Sequence, residues 1–291
     1  MSKKTRKIAL LLSIVLIICL FGLYQVYISY NKIAITNYSI TTNKINNSLN
    51  IVIISDLHDN QLGENNKDLI DSINSLSPDM VFVVGDMLNK NSKDSKIVTN
   101  LMKQLCKNHK VFYSLGNTEI DYIEAGTSNL VEELEDVGVT VLDDEYKDVD
   151  VNGKTIRIGG MFDYAFGLKS NEIESKDSSQ KATYDFLSEF EDTDNYKIML
   201  AHRPDSFIFN NATKDWDIDL VVSGHTHGGQ VVLPFVGGLY VADQGWFPQY
   251  DKGIFDLNNT KIIITSGLGA SKQKLPRFNN VPEIVNLKIS N

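Results

Sequence analysis

Five short apolar runs in this chain each lead into a side chain able to bind a metal. Ile51–Ile54 precedes Asp56 and His58, Met80–Val84 precedes Gly85-Asp86, and Val111–Leu115 precedes Gly116-Asn117. Ile198–Leu200 precedes His202, and Leu220–Val222 precedes Gly224-His225-Thr226-His227. Runs of this length, rich in Val and Ile, read as buried strands. In an open α/β sheet, ligands collect just past the carboxyl ends of the strands. The pattern therefore predicts that residues spread over most of the chain meet at one sheet edge. The set is two Asp, one Asn and four His. These are oxygen and nitrogen donors without sulfur, enough for two divalent cations. Of the five histidines only His109, in Lys107-Asn108-His109-Lys110, lies ahead of a strand rather than behind one.

Each residue alone also has a plainer role. Asp56 and Asp86 can cap helices that follow strands, Asn117 can serve a turn, and His202 can be a satisfied strand-end histidine. It is their joint placement that favours a metal centre.

The first stretch has a different character. Ile8 to Ile28 is 21 residues without a charge, about 32 Å as a helix and enough to cross a bilayer. Lys3, Lys4, Arg6 and Lys7 precede it and no acidic residue does. The positive-inside rule then keeps the N-terminus in the cytoplasm and exports the rest. A cleaved signal is the alternative. The span exceeds a usual signal core, however, and no small-x-small cleavage site follows it. Ile17 and Ile18 ahead of Cys19 do not suit a lipoprotein signal. Residues 1–32 are therefore expected to be a basic tip and transmembrane anchor, and residues 33–291 one domain.

Residues 33–291 carry 23 basic and 37 acidic side chains, a net of −14. Such a surface repels nucleic acid, so a nucleic-acid partner is not expected. Bound cations at the strand ends would still attract a phosphate. Cys106 is the one cysteine outside the anchor, so no intrachain disulfide staples the domain.

Helical patterns cover Asn65–Ser77, Asp94–Asn108, Ser128–Asp136 and Ala182–Glu191, with a strand at Val139–Leu142. Val149–Met161 reads as a hairpin around Asn152-Gly153. Lys261–Thr265 and Ile284–Ile289 read as late strands. The polar stretch Asn31–Asn50, with Ile33, Ile35, Tyr38 and Ile40, reads as a first hairpin leading into Ile51–Ile54. Alternating strands and helices argue for an α/β fold. Two stacked sheets with helices outside would fit, though the pattern alone leaves that open.

The ordered set Asp56-x-His58, Gly85-Asp86, Gly116-Asn117, His202 and Gly224-His225-Thr226-His227 resembles the calcineurin-like metallophosphoesterase superfamily. Ser223 to Gln230, Leu239 to Gly245, and Arg277-Phe278 to Glu283-Ile284-Val285 look like its branch of membrane-anchored bacterial phosphohydrolases. The resemblance spans roughly Ile33 to Ile289. It implies a four-layer αββα sandwich of two mixed sheets flanked by helices, and a two-metal centre of Mn, Fe or Zn. By that resemblance Asp56, His58 and His227 would hold the first ion, and Asn117, His202 and His225 the second. Asp86 would bridge them, and Asp86, Asn117 and His202 would take part in catalysis. The implied reaction is hydrolysis of a phosphoester from a lipid or the cell envelope, by an enzyme facing out of the cytoplasm.

One position departs from the family. Where it has Gly-Asn-His followed by an acid, this chain has Gly116-Asn117-Thr118-Glu119. The family histidine protonates the leaving group, and an aliphatic hydroxyl is too weak an acid to do so. This leans the expectation towards phosphodiesters or good leaving groups. The alternative is a weakly active or non-catalytic protein that binds phosphate through its metals. Asp163 matches an acidic family position near the cleft, though a plain loop Asp fits at least as well; Arg203 is expected on the surface, with phosphate binding the alternative; and His109 is a spare acid only if the fold brings it in. Trp246, Phe247 and Tyr250 are expected mainly to pack; the alternatives are that they rim a lipid or aryl substrate pocket or touch the membrane.

Overall fold

The structure is a computed structural model that describes residues 2–151, 153–162, 181–209, 212–270 and 276–291. Asp163, and the Asn152 half of the Asn152-Gly153 turn, lie outside the described residues.

Two six-stranded sheets form the centre. The first contains β1 (Ala34–Thr41), β2 (Leu49–Ile54), β3 (Met80–Val84), β4 (Lys110–Ser114) and β5 (Thr140–Leu142), with β16 (Glu283–Ser290) between β1 and β2. The second contains β6 (Glu145–Val151), β7 (Lys154–Met161), β8 (Tyr196–Ala201), β9 (Leu220–Ser223), β14 (Gly253–Leu257) and β15 (Thr260–Ile264). Both sheets are mixed. β2, β3, β4 and β5 run parallel, as do β7, β8, β9 and β15, while β16 is antiparallel to β2 and the edge strands β6 and β14 are antiparallel to their neighbours.

Strand alternation explains the layering, because successive side chains face opposite sides of a sheet. Ile51, Ile53, Phe82 and Val84 of the first sheet pack against Ile156, Ile158, Ile198, Leu200 and Val222 of the second. Their neighbours Val52, Ile54, Val81 and Val83 face outward. They meet Leu69 and Ile73 of α2 (Lys67–Ser75), Val98 and Met102 of α3 (Lys96–Leu105), and Leu134 of α5 (Leu130–Asp136). On the other side, Met199, Val221, Ile262 and Ile264 pack beneath Phe186, Leu187 and Phe190 of α6 (Lys181–Glu191). The order is helix, sheet, sheet, helix, as expected. Strands buried on both faces carry the continuous apolar runs that made them legible.

One expectation fails. Residues 31–50 do not form a hairpin into β2. β1 instead pairs in parallel with β16, from Ala34 opposite Glu283 to Thr41 opposite Ser290. The edge of the sheet is thus completed by the last strand of the chain. Residue-by-residue patterns carry no record of a partner some 250 positions away.

An N-terminal helix α1 (Lys3–Asn31) is long and apolar enough to cross a membrane. Nearly all of it is exposed, with Gln25 and Ser29 buried near its end. There it touches the rest of the chain. The Arg277 backbone N–H donates to the Tyr30 hydroxyl and that of Asn280 to Ser29 Oγ, both at 3.1 Å.

Phe82 is fully buried between the sheets, edge-on to Phe112. Phe82→Ala should cost about 3–5 kcal/mol, read as a lowered midpoint in denaturant unfolding of the detergent-solubilised chain.

Candidate metal centre

Each strand that the sequence marked ends in a loop that brings its polar residue to one cluster past the carboxyl ends of the strands. These turns are strained. Asp56 (φ 54°), His58 (φ 50°), Asp86 (φ 54°), His225 (φ 67°) and His227 (φ 49°) all lie in the left-handed region. Non-glycine residues there cost of order 1–3 kcal/mol each and concentrate at functional sites. Close backbone approach requires glycine beside them. A Cβ on Gly85, itself at φ 70°, would stand 2.6 Å from Gly116 Cα and 2.8 Å from His202 Nδ1.

The predicted ligands fall in two of three donor groups among the described residues, the third being Asp205, His225 and Asp243. Asp56, His58 and His227 form one, and Asp86, His202 and His225 the other, each with its donor atoms within 4.8 Å of one another. In the first, His227 Nε2 lies 3.6 Å from Asp56 Oδ1 and 3.4 Å from His58 Nε2. Ligands of one ion about 2.1 Å away stand roughly 3–3.5 Å apart, so the spacing suits a cation. Asp86 Oδ2 connects the groups, 3.7 Å from His58 Nε2 and 3.4 Å from His202 Nε2.

Hydrogen bonding tells the same story. His202 Nδ1 donates to the Val84 carbonyl at 2.8 Å, while its buried Nε2 has no hydrogen-bond partner. This is the arrangement of a metal-binding imidazole, one nitrogen anchored and the other free. The Asn117 Oδ1 is likewise buried without a partner. Asn117 opens α4 (Asn117–Glu124), so the strand-to-helix turn points its amide inward. His225 Nε2 donates to Asp243 Oδ2 at 2.7 Å, which leaves Nδ1 as the donor it can offer. These orphaned atoms fit a pair of divalent ions.

The two candidate caps do other work. Asp56 accepts the His225 backbone N–H at 3.1 Å. Asp86 Oδ1 accepts the Thr118 N–H at 2.9 Å, and the Thr118 hydroxyl lies 3.0 Å from it and 2.6 Å from the Leu88 carbonyl. Asp86 thus caps α4 from a different strand.

Several residues went unread in the sequence. Glu119 is fully buried and accepts from the backbone N–H groups of Asp86, Met87 and Gly116 and from the Tyr113 hydroxyl, at 2.7–3.0 Å. It ties the loops after β3 and β4 together. Asp243 orients His225 and also meets Arg203, 3.3 Å away. Arg203 therefore sits beside the centre through Asp243 rather than on open surface. Arg277 is fully buried and gives all its bonds to neutral oxygens of Ser266, Gly267, Gly269 and Asn280. A signal for Glu119, Arg277 and Asp243 existed only in the resemblance.

Three other expectations are settled by position. His109 bonds Asn74 Oδ1 at 2.8 Å, below the opposite end of β4, and does not reach the centre. Trp246 and Phe247 are 64% and 58% exposed and do not pack into the core. Only Tyr250 does, against Phe209 and Phe255.

Charge is concentrated here. Burial would raise the Asp86 carboxyl, but His202 and His58 outweigh it and hold it well below the usual carboxylate range. Burial and the Asp86 charge push Glu119 up to about 7, against the pull of its four donors. For His202 burial opposes the proton, yet Asp86 prevails and raises it to about 10. Burial, helped by His58 and Arg277, lowers His227 to about 3. His227 is therefore a neutral imidazole without help, whereas His202 must release a proton to bind a metal.

A metal entering the His202 group competes with that proton from pH 6.5 up to about 10. Its apparent affinity should climb about tenfold per pH unit in that window, with close to one proton released. The His227 group should vary little over the same range. Calorimetric Mn²⁺ titration of the metal-free chain at pH 6.5, 7.5 and 8.5 in buffers of differing ionisation heat reads both.

A profile of the calcineurin-like phosphoesterase family matches residues 49–229. The chain is 30% identical to the uncharacterized metallophosphoesterase Cj0846 of Campylobacter jejuni, over 91% of this chain and 67% of that one. It is 28% identical to the metallophosphoesterase YkuE of Bacillus subtilis, over 90% of this chain and 87% of YkuE. Among solved structures GAP50, described as the anchor in the inner membrane complex of Plasmodium, aligns with a TM-score of 0.51 at 15% identity, over 84% of this chain and 82% of that one. That last likeness is one of fold alone. A profile covering more than half the sequence, set on strands whose ends gather these donors, shows that the chain belongs to the calcineurin-like phosphoesterase family of metal-dependent phosphoester hydrolases.

Proposed function

We propose that residues 33–291 form a two-metal phosphoesterase domain that α1 tethers to the cell membrane on its outer side. In this reading Asp56, His58 and His227 bind one ion, Asn117, His202 and His225 the other, and Asp86 serves both. The observation that carries it is Asp86 Oδ2, within 3.7 Å of His58 Nε2 and 3.4 Å of His202 Nε2, while its other oxygen is held by Thr118. Divalent cations in such a pair supply positive charge to the phosphoryl oxygens and acidify a water. Mn, Fe and Zn all suit nitrogen and oxygen donors, and availability selects among them.

The chain's own residues set the rest. Val84 and Asp243 fix the ring orientations of His202 and His225. Glu119 holds the Asp86 and Gly116 loops at the spacing the centre needs. Arg203, kept beside His225 by Asp243, adds positive charge at the rim for a phosphate. Thr118 stands where the family places an acid, and its one proton is committed to the Leu88 carbonyl and Asp86. Among the described residues no side chain there is placed to protonate a departing alkoxide. The substrate is therefore a phosphodiester or an ester with a good leaving group, drawn from a lipid or the cell envelope.

A positioned acid contributes about 10²–10⁴-fold, most for poor leaving groups. An aryl phosphodiester should accordingly turn over with added Mn²⁺ at least about 10²-fold faster than an alkyl monoester. Chelation or Asp86→Ala should abolish both. Equal rates, with chemistry limiting, would sink the leaving-group argument. No turnover of any ester by a protein carrying both ions would favour the phosphate-binding alternative.

Topology is tested separately. A reporter active only outside the cytoplasm, fused after Asn291, should work, and a cytoplasm-only reporter should not.

A further inference from the structure

The described surface beyond α1 has one concentration of exposed large apolar side chains. Phe235, Val236, Tyr240, Trp246 and Phe247 lie on two short adjoining hairpins, β10–β11 (Val232–Leu233 and Gly237–Gly238) and β12–β13 (Tyr240–Val241 and Gly245–Trp246). Phe235 is at the maximum of exposure and Trp246 and Phe247 are more than half exposed. The other exposed apolar residues outside α1 are Ile35, Tyr184, Phe209 and Ile254, each on a separate element. Scattered apolar residues are ordinary, but a cluster marks an interaction surface.

Charge separates this stretch from the rest of the domain. Residues 228–250 contain no basic residue, and Asp243 is their one acid. Asp243 is exposed, and its carboxylate pairs with His225 and Arg203. The hairpins therefore carry one paired carboxylate of their own, with Asp251 bonded to the Gly238 N–H at their base, on a domain of net −14.

Hydrogen bonds connect the hairpins to the end of α1. Its apolar run ends at Ile28, with Asn31 and Lys32 close behind, so Ser29 and Tyr30 stand where the helix leaves hydrocarbon. Those two residues bond the backbone of Asn280 and Arg277. Phe278, between them, bridges to Val231, and Val232 N–H donates to its carbonyl at 3.0 Å. Asn279 bonds the Val232 carbonyl at 3.0 Å. The first hairpin begins at Val232. The second adjoins it through Leu239 N–H to the Val231 carbonyl at 2.8 Å and Phe247 N–H to the Leu239 carbonyl at 2.9 Å.

We propose that these two hairpins insert Phe235, Val236, Trp246 and Phe247 into the phospholipid leaflet from which α1 emerges, making a second membrane contact beside the metal centre. Aromatic side chains suit this depth, with an apolar body in the headgroup boundary. His227 lies just ahead of the first hairpin, and the second supplies Asp243 to His225. A lipid phosphoester in the same leaflet would then meet the centre without leaving the membrane. The proposal rests on the reading of α1 as a membrane anchor.

The chain has two tryptophans, and Trp216 is buried, so Trp246 reports on the surface. The full-length protein is placed in phosphatidylcholine vesicles containing lipids brominated high on the acyl chain. Flotation after an alkaline carbonate wash reads the anchor independently. The expected result is flotation, loss of the Trp246 component of emission to brominated lipid, and little quenching by aqueous iodide. Trp246→Phe, in a chain that still floats, should remove the quenchable component. Flotation with Trp246 open to iodide overturns the docking and leaves the anchor standing. Failure to float overturns both. Trp246 shielded from iodide and from brominated lipid alike means that protein covers the hairpins, a second copy or a partner, and overturns the lipid assignment.

Discussion

The carboxylate of Asp86 is the point on which the site depends. One of its oxygens is taken by the start of α4 through Thr118, and the other faces His58 and His202. Four strand ends, those of β2, β3, β4 and β8, are thereby referred to a single buried charge. Asp56 and Glu119 are buried beside it. Three carboxylates in one dry pocket repel one another and lose hydration, at a cost of several kcal/mol per unpaired ion. A proton on His202 offsets part of this in the metal-free chain. Divalent cations held there would offset far more, and metal binding and stability of this corner would then be one equilibrium.

That constraint accounts for the left-handed conformations of the ligand candidates and for the neighbouring glycines. Donors on separate parallel strands approach one ion only if the chain turns sharply at each strand end. The strain at Asp56, His58, Asp86, His225 and His227 is tolerable because flanking strands are buried on both faces and cannot relax. Gly85 and Gly116 allow two of these turns to touch. A side chain at either would separate Asp86 from α4 and change its reach towards both donor groups.

The ligand-bearing part of the fold was legible because sequence and geometry there share a local rule. A fully buried parallel strand shows as an unbroken apolar run, and its functional residue follows at once. What stayed hidden depends on distant pairing. β16 closes the first sheet against β1, and no nearby pattern announces it. α4 was hidden because its eight residues begin with the ligand candidate itself, so Asn117 read as the end of a strand rather than the first residue of a helix. Asp243 lies in a loop of turn residues and acquires meaning only where His225 meets it. Trp246 and Phe247 invited a packing assignment because aromatic residues in a Gly/Pro-rich stretch usually have a core to enter; here Tyr250 takes that place.

Arg277 joins the two ends of this architecture. Its guanidinium has no exposure, and its bonds run to the Ser266–Gly269 turn and to Asn280. A Cβ on Gly267 of that turn would stand 2.6 Å from Asp56 Cβ, so the turn lies directly on a ligand candidate. Asn280 in turn holds the His227 carbonyl at 2.7 Å and, through its own N–H, Ser29 at the end of α1. A buried cation bonded only to carbonyl and amide oxygens is expensive unless negative charge lies near, and burial accordingly lowers Arg277 to about 10 against the opposing pull of Asp56 and Glu283. The same positive charge helps keep His227 unprotonated. One side chain thus fixes the Asp56 turn, favours the neutral form of His227 and joins both to the root of the apolar helix. The distance from that root to the first donor group is set by packed backbone rather than by a linker, and the centre is held at a fixed height relative to the end of α1.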